Sequence, residues 1–174
     1  MVMKVAGMHQ LRSLEVMENK KLAVFDLDNT LRDNAGSGHM VPSELGLSMD
    51  VAAHWAPWQQ YVLENSPVID YMFDIYANFV DDTAFEVWVI TSSTFGTKEW
   101  LNLRGLPEPD RIIERSILDN RSPTEYKESV VDTLEDRIYL WVDDCPKLCE
   151  KMRKRGVKVI QVTHNYYEHH KSDN

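Results

Sequence analysis

Basic residues are outnumbered: 19 Lys and Arg stand against 28 Asp and Glu, a formal net charge of −9 at pH 7 over 174 residues. A surface of that sign repels a polyanion, which argues against tight, sequence-independent binding to long duplex nucleic acid but leaves room for a local site for a small phosphate or a strand end. Cysteine is scarce, with only Cys145 and Cys149. Two thiols four apart, with no third Cys to join them, make no thiolate metal site and suit reduced, packed thiols in a cytoplasmic protein. No apolar stretch approaches the length of a membrane span, so no membrane partner is expected. The segment from Met1 to Lys20 is interrupted by Gly7, His9, Gln10 and Arg12, where a secretory leader has an unbroken apolar core. A phosphate-cradling Gly-x-x-x-x-Gly-Lys loop is missing, which excludes a kinase half. Glycine and proline, seven of each, fall at turns, and neither repeats nor low-complexity blocks occur.

What remains is an ordinary mixture, 43% hydrophobic and 27% charged, in a chain long enough to bury one core. We expect an N-terminal extension over 1–20, an extra helix or an arm, and one domain over 21–174. Leu22-Ala23-Val24-Phe25 is a short unbroken apolar run, as in a strand buried on both faces. Val87 to Ile90 and Ile138 to Val142 repeat the pattern, Arg111 to Ile113 is a brief fourth candidate, and Val157 to Val162 is a last strand. Between them, Ser66-Pro67 reads as a cap and first helical position leading a helix through Val80. Further helices are expected over Thr97 to Leu103, from Pro123 through Leu134, and from Pro146 to Gly156. Strands alternating with helices predict a doubly wound parallel α/β sheet, whose ligand site lies beyond the carboxyl ends of the strands.

Three of the strands end in chemistry. The first runs into Asp26-Leu27-Asp28-Asn29-Thr30, the second into Thr91-Ser92-Ser93, and the strand over Ile138 to Val142 into Asp143-Asp144. Two carboxylates two apart beyond a buried strand disfavour each other's ionisation unless a proton or a divalent cation stands between them. Hard oxygen donors with room for water suit magnesium. The plainer alternative is an acidic turn or helix cap, but a buried apolar strand ending in two acids has few such explanations.

In these residues the chain resembles the haloacid dehalogenase phosphatases, whose first motif is Asp-x-Asp-x-Thr after the first strand. The resemblance spans about Leu22 to Val162 and implies a small or absent cap beside the sheet. It also implies a magnesium cofactor and an aspartyl-phosphate formed on Asp26. Asp28 would serve as general acid and then base, with its backbone carbonyl on the metal. Thr30, and Thr91 or less favourably Ser92, would stand near the phosphoryl group. Lys127 would neutralise nucleophile and phosphoryl oxygens. Asp144 would ligate the metal, with Asp143 in support.

Shorter matches resemble the 3′-phosphatase domain of bacteriophage polynucleotide kinases and related nucleotidases. They are Thr97-Lys98-Glu99-Trp100-Leu101, and Arg115-Ser116 followed by Asp119-Asn120-Arg121. The chain departs from that pattern at Ser116 and Ile117, and at Asn29, where many relatives have Gly. On this resemblance the substrate is a nucleotide or a 3′-phosphorylated end, with Arg115 and Arg121 as its phosphate ligands. The alternatives are another small phosphorylated metabolite, a phosphoprotein, or an inactive binding module. Arg115 and Arg121 equally suit surface pairing with Asp119 or Glu125. Trp55 and Trp58 suit either packing of the segment from Leu31 to Asn65 or stacking on a base. The basic run Lys147, Lys151, Arg153, Lys154, Arg155 and Lys158 reads as a solvated helix face, and His164, His169 and His170 as a polar tail.

Overall fold

The computed structural model describes residues 20–163. The expected N-terminal helix or arm and the tail with His164, His169 and His170 lie outside the described residues. Five strands form one sheet: β1 (Lys21–Phe25), β2 (Phe85–Thr91), β3 (Arg111–Glu114), β4 (Ile138–Asp143) and β5 (Lys158–Gln161). Every pairing is parallel and the order is β3-β2-β1-β4-β5. The chain therefore winds outward from β1 in one direction, then returns to its other side, which makes the β1/β4 boundary the switch point where such sheets bind ligands.

Alternation along the strands sorts the helices onto two faces. On one face, Ala23, Phe25, Val87 and Val89 pack with Leu63 of α1 (Ala56–Asn65), Met72 and Tyr76 of α2 (Asp70–Asp81), and Trp100 and Leu101 of α3 (Thr97–Leu103). On the other, Leu22, Val24, Trp88, Ile90 and Trp141 pack with Val131 and Leu134 of α4 (Pro123–Leu134) and with Leu148 and Met152 of α5 (Pro146–Lys154). This is the doubly wound α/β sheet that the sequence predicts. Gly156 lies beyond the end of α5 at φ 81, a conformation that a side chain resists, so the chain turns there into β5. Cys145 precedes α5 and Cys149 is buried in it, both as free thiols. The basic run is engaged at the surface: Lys151 pairs with Glu128, Lys154 with Glu150 and Arg155 with Asp132. Among the described residues no helix is long and apolar enough to cross a membrane.

Between β1 and α2, the segment from Leu31 to Asn65 holds 3-10 turns at Gly38–Met40, Pro42–Leu45 and Ala52–Trp55 and then α1, so the stretch with His54, Trp55, Pro57 and Trp58, which has no regular pattern in the sequence, is in fact helical. The expected helix start at Ser66-Pro67 is also displaced, because Ser66 caps the end of α1 and α2 begins only at Asp70. The residues between are held extended by tertiary pairing. Val68 bridges antiparallel to Arg32, Pro67 accepts from Asp33 N–H, and Ile69 N–H donates to Leu31 O. Those bonds override the local Ser-Pro signal.

Met72 has no exposed surface and anchors α2 on the sheet. Met72→Ala should lower unfolding free energy by about 2–5 kcal/mol, the usual cost of a buried large-to-Ala truncation. Urea denaturation reads this directly, and a loss below about 1 kcal/mol would contradict this packing.

Candidate active site

Asp26 leaves β1 at its carboxyl end, with its N–H still donating to Val142 O at 2.9 Å. Phe25 is in register with Val142, so the next residues, Asp26 and Asp143, stand side by side where β1 and β4 end. Lys127 of α4 reaches between them, its Nζ 2.8 Å from Asp26 Oδ1 and 2.8 Å from Asp143 Oδ2. All three side chains are buried. A buried ion pair is tolerated only when its remaining polar atoms are bonded. Asp143 meets that condition through Cys145 N–H, which donates to Oδ1 at 2.8 Å. The Asp26 carboxylate Oδ2 accepts from Thr30 Oγ1 at 3.5 Å.

Asp144 adds a third buried carboxylate, and oxygens from Asp26, Asp143 and Asp144 all lie within 4.8 Å of one another. Burial pushes the Asp26 carboxyl well above its usual range. Lys127 pulls it back, while Asp143, Asp144 and Asp28 push with the burial. Burial also disfavours the Lys127 ammonium, but Asp143 and Asp26 outweigh it and hold that charge firmly. A site in which one cation serves converging acids, and whose donors are all carboxylate oxygens, fits a hard divalent cation such as magnesium. A cation of that kind would relieve the repulsion that raises Asp26.

Asp28 is held differently. A tight turn follows Asp26, with Leu31 N–H and Arg32 N–H both donating to Leu27 O at 2.9 Å. The turn places Asn29 at φ 57. Gly fits such a position without strain, and Asn is among the side-chain residues that tolerate it best, which accounts for Asn29 there. The turn returns Arg32 beneath Asp28. Arg32 is 1% exposed, with Nη2 at 2.6 Å and Nε at 3.0 Å from Asp28 Oδ1. Asn34 Nδ2 donates to the same oxygen at 2.8 Å, and Ser93 Oγ donates to Oδ2 at 2.8 Å. The guanidinium carbon lies 6.0 Å from the Trp58 ring and 5.7 Å from the Trp100 ring. Burial raises Asp28, but the Arg32 charge and the hydrogen bonds of Arg32, Asn34 and Ser93 prevail and hold it below the usual carboxylate range.

Asp26, Asp28 and Asp144 form the floor of a cavity of about 640 Å³, whose wall includes Trp55, Trp58, Gln59, Ser92, Ser93, Arg115, Asn120 and Arg121. The segment between β1 and α2 is thus a small cap, and it is tied to the sheet side. Gln59 Oε1 accepts from Thr94 N–H and Oγ1, both at 2.9 Å, and Asn120 Oδ1 accepts from Ala52 N–H at 2.9 Å. Trp55 and Trp58 meet edge to face at 5.5 Å. Their indole N–H groups donate to Met49 O and Ser37 Oγ.

The expected site residues fall into distinct places. Asp26, Asp28, Lys127, Asp144, Ser92, Arg115 and Arg121 all line the cavity. Thr30 and Thr91 do not: both lack exposed surface. Thr30 is turned onto Asp26, and Thr91 Oγ1 accepts from Ser93 N–H at 3.1 Å. Asp143 is fully buried behind the floor. Arg121 is bound to Asp119 at 2.5 Å, and this pairing holds Asp119 down at about 2. Sequence reasoning missed Arg32, Asn34 and Ser93. A lone Arg in a polar stretch looks solvated, and its burial depends on Trp58 and Trp100, far along the chain.

No family model matches the chain, and no curated protein sequence matches it. Solved structures do. A chain in the structure of the Pnkp1/Rnl/Hen1 complex matches with a TM-score of 0.59 at 14% identity, covering 85% of this chain and 47% of that one. A chain in the structure of the Pnkp1/Rnl/Hen1 RNA repair complex gives 0.58 at 13% identity, over 84% and 43%. This chain thus spans less than half the length of either. The hydrolase, haloacid dehalogenase-like family protein SP0104 from Streptococcus pneumoniae gives 0.57 at 14% identity, over 83% of this chain and 85% of that one. At such identities the likeness is one of fold: this chain has the haloacid dehalogenase-like fold.

The Arg32–Asp28 contact should be energetically real. A double-mutant cycle of Arg32→Met and Asp28→Asn, read by chemical denaturation without divalent cation, should give a coupling of about 1.5–3 kcal/mol, as for hydrogen bonds to charged groups. A coupling near zero would show that the pairing contributes nothing.

Proposed function

We propose that the chain is a magnesium-dependent phosphomonoester hydrolase that works through an aspartyl-phosphate on Asp26 and acts on nucleotides or 3′-phosphate ends of nucleic acid. One observation carries this reading. A buried carboxylate, Asp26, is held by Lys127 at 2.8 Å within a carboxylate cluster on the floor of a cavity. A structural acid has little reason to be placed where burial and neighbours oppose its charge, and perturbed groups of this kind mark reactive sites.

In this reading an Asp26 carboxylate oxygen attacks phosphorus, and the bond to the leaving oxygen breaks. Lys127 holds the carboxylate in place and offsets charge on the phosphoryl oxygens. Ser92, on the cavity wall, donates to those oxygens, while Thr91 braces the loop behind it. Water then attacks the aspartyl-phosphate, and Asp28 accepts the water's proton. In the next turnover Asp28 takes up a proton again and delivers it to the leaving oxygen, so its acid and base roles alternate. Arg32, Asn34 and Ser93 fix the position of its carboxylate for both. Magnesium would be held by Asp26, Asp144 and the Asp28 carbonyl with Asp143 in support, and would supply charge neutralisation for the transferring group.

The substrate assignment draws on the wall rather than the floor. A cavity of about 640 Å³ accommodates a ligand of ordinary small-molecule size, and Trp55 and Trp58 give it an aromatic side on which a base can stack. The similarity to chains of an RNA repair complex points the same way. The net charge of −9 favours short substrates over long duplexes.

Asp26→Asn removes the nucleophile without changing side-chain size. Turnover of a chromogenic phosphate ester should fall by a factor on the order of 10⁴ or more, while circular dichroism stays that of the wild type. Retained activity would sink the covalent mechanism. Chelation by EDTA should likewise abolish turnover, with magnesium restoring it and calcium failing to do so. Calcium takes more ligands and tends to capture both oxygens of a carboxylate, spoiling the geometry of attack. Full activity in chelator would remove the metal from the mechanism.

A further inference from the structure

Resting on the phosphatase reading, we infer that the wall carrying Arg115 is a second anion subsite, so that the preferred substrate presents two phosphates: one to Asp26 and another across a spacer of nucleoside size. Arg115 follows β3 and is only 7% exposed, yet it lines the cavity. Its Nη1 donates to Arg121 O at 2.9 Å, and its Nε has no hydrogen-bond partner. Among the described residues it forms no ion pair. The neighbouring carboxylate, Asp119, is already taken by Arg121, whose Nε and Nη2 reach it at 2.9, 3.1 and 2.5 Å. Burial lowers the Arg115 pKa, and the nearby Asp119 carboxylate, already paired with Arg121, offsets that only in part.

A buried charge whose neighbouring carboxylate is bound to another cation, and whose Nε is left unbonded, is costly to keep. A guanidinium suits a planar or tetrahedral oxyanion by paired N–H donors. The floor of the cavity already has its own cation, Lys127, bound to Asp26 and Asp143, so a single phosphate there does not call for Arg115. The two cations sit on different elements. Arg115 is fixed to the β2–α3 loop by its N–H to Ser93 O at 3.0 Å and to the loop before α4 by the Arg121 carbonyl. Trp55 and Trp58 line the same cavity and offer an aromatic face on which the base of a nucleotide can stack. The class that combines these features is a nucleoside with phosphates on both sides. It is met either as a free 3′,5′-bisphosphate or as a phosphorylated strand end whose next linkage is the second anion. Arg121, expected beside Arg115 as a phosphate ligand, spends its charge on Asp119 and serves through its carbonyl.

The test uses the full chain with magnesium. Specificity constants are compared for adenosine 3′,5′-bisphosphate, adenosine 3′-monophosphate and adenosine 5′-monophosphate. The bisphosphate should lead the better monophosphate by about tenfold or more, as one desolvated charged contact allows. Arg115→Gln should bring that ratio close to one, and Arg115→Lys should retain part of it. In parallel, isothermal titration of the Asp26→Asn variant should show tighter binding of the bisphosphate than of either monophosphate, lost in Asp26→Asn/Arg115→Gln. A 3′-phosphorylated dinucleotide separates the sources: turnover above the bisphosphate identifies a strand end, and turnover below it a free nucleotide. A wild-type ratio near one, or an equal fall for all substrates in Arg115→Gln, overturns the subsite and leaves the phosphatase reading standing. If no ester is hydrolysed but the titration still shows an Arg115-dependent preference, the phosphatase reading fails and the two-anion site survives.

Discussion

A buried ammonium between two buried carboxylates holds the working end of this protein together. Lys127 comes from α4, Asp26 from the end of β1 and Asp143 from the end of β4, so one side chain joins three elements that converge at the switch point of the sheet. None of the three is affordable alone in so dry a place. Together they satisfy one another while leaving Asp26 strained in charge, with its carboxyl pushed up by burial and by nearby acids. That residual strain is of the kind that an arriving divalent cation would relieve.

The second pair, Asp28 and Arg32, does a different job with the same chemistry. Its carboxylate accepts hydrogen bonds from three side chains and is held low, so the two acids of one short turn are driven apart in their proton affinity. The Arg32 guanidinium also carries the site into the cap, since it lies near Trp58 and Trp100, and Trp58 is bonded to Ser37. Cap and floor are thus parts of one hydrogen-bonded body. With the Gln59–Thr94 and Asn120–Ala52 ties, the cavity stands preformed rather than assembled by closure.

Much of this was legible in the sequence because it is written in strands buried on both faces. Leu22 to Phe25 and Ile138 to Val142 have no polar interruption, and the acids that follow can only lie at their carboxyl ends. Register then does the rest, placing Asp26 next to Asp143. The parts that were not legible depend on distant partners. The helix α1 buries polar Gln59 beside Val62 and Leu63, so its pattern is not that of an apolar stripe. Ser66-Pro67 looks like a helix start until Val68 is paired with Arg32. Which hydroxyl after β2 faces the cavity is a matter of where the strand stops: Thr91 ends β2 and is buried, and Ser92 and Ser93 reach the wall.

The central claim is that Asp26 becomes covalently phosphorylated. The most direct measurement is an acid quench of the wild-type chain during turnover of a phosphate monoester with magnesium, followed by peptide mass spectrometry. The account predicts a hydroxylamine-labile phosphoryl group on the peptide that contains Asp26, formed and lost at rates compatible with turnover. Steady hydrolysis without such an adduct, or an adduct on another residue, would contradict it.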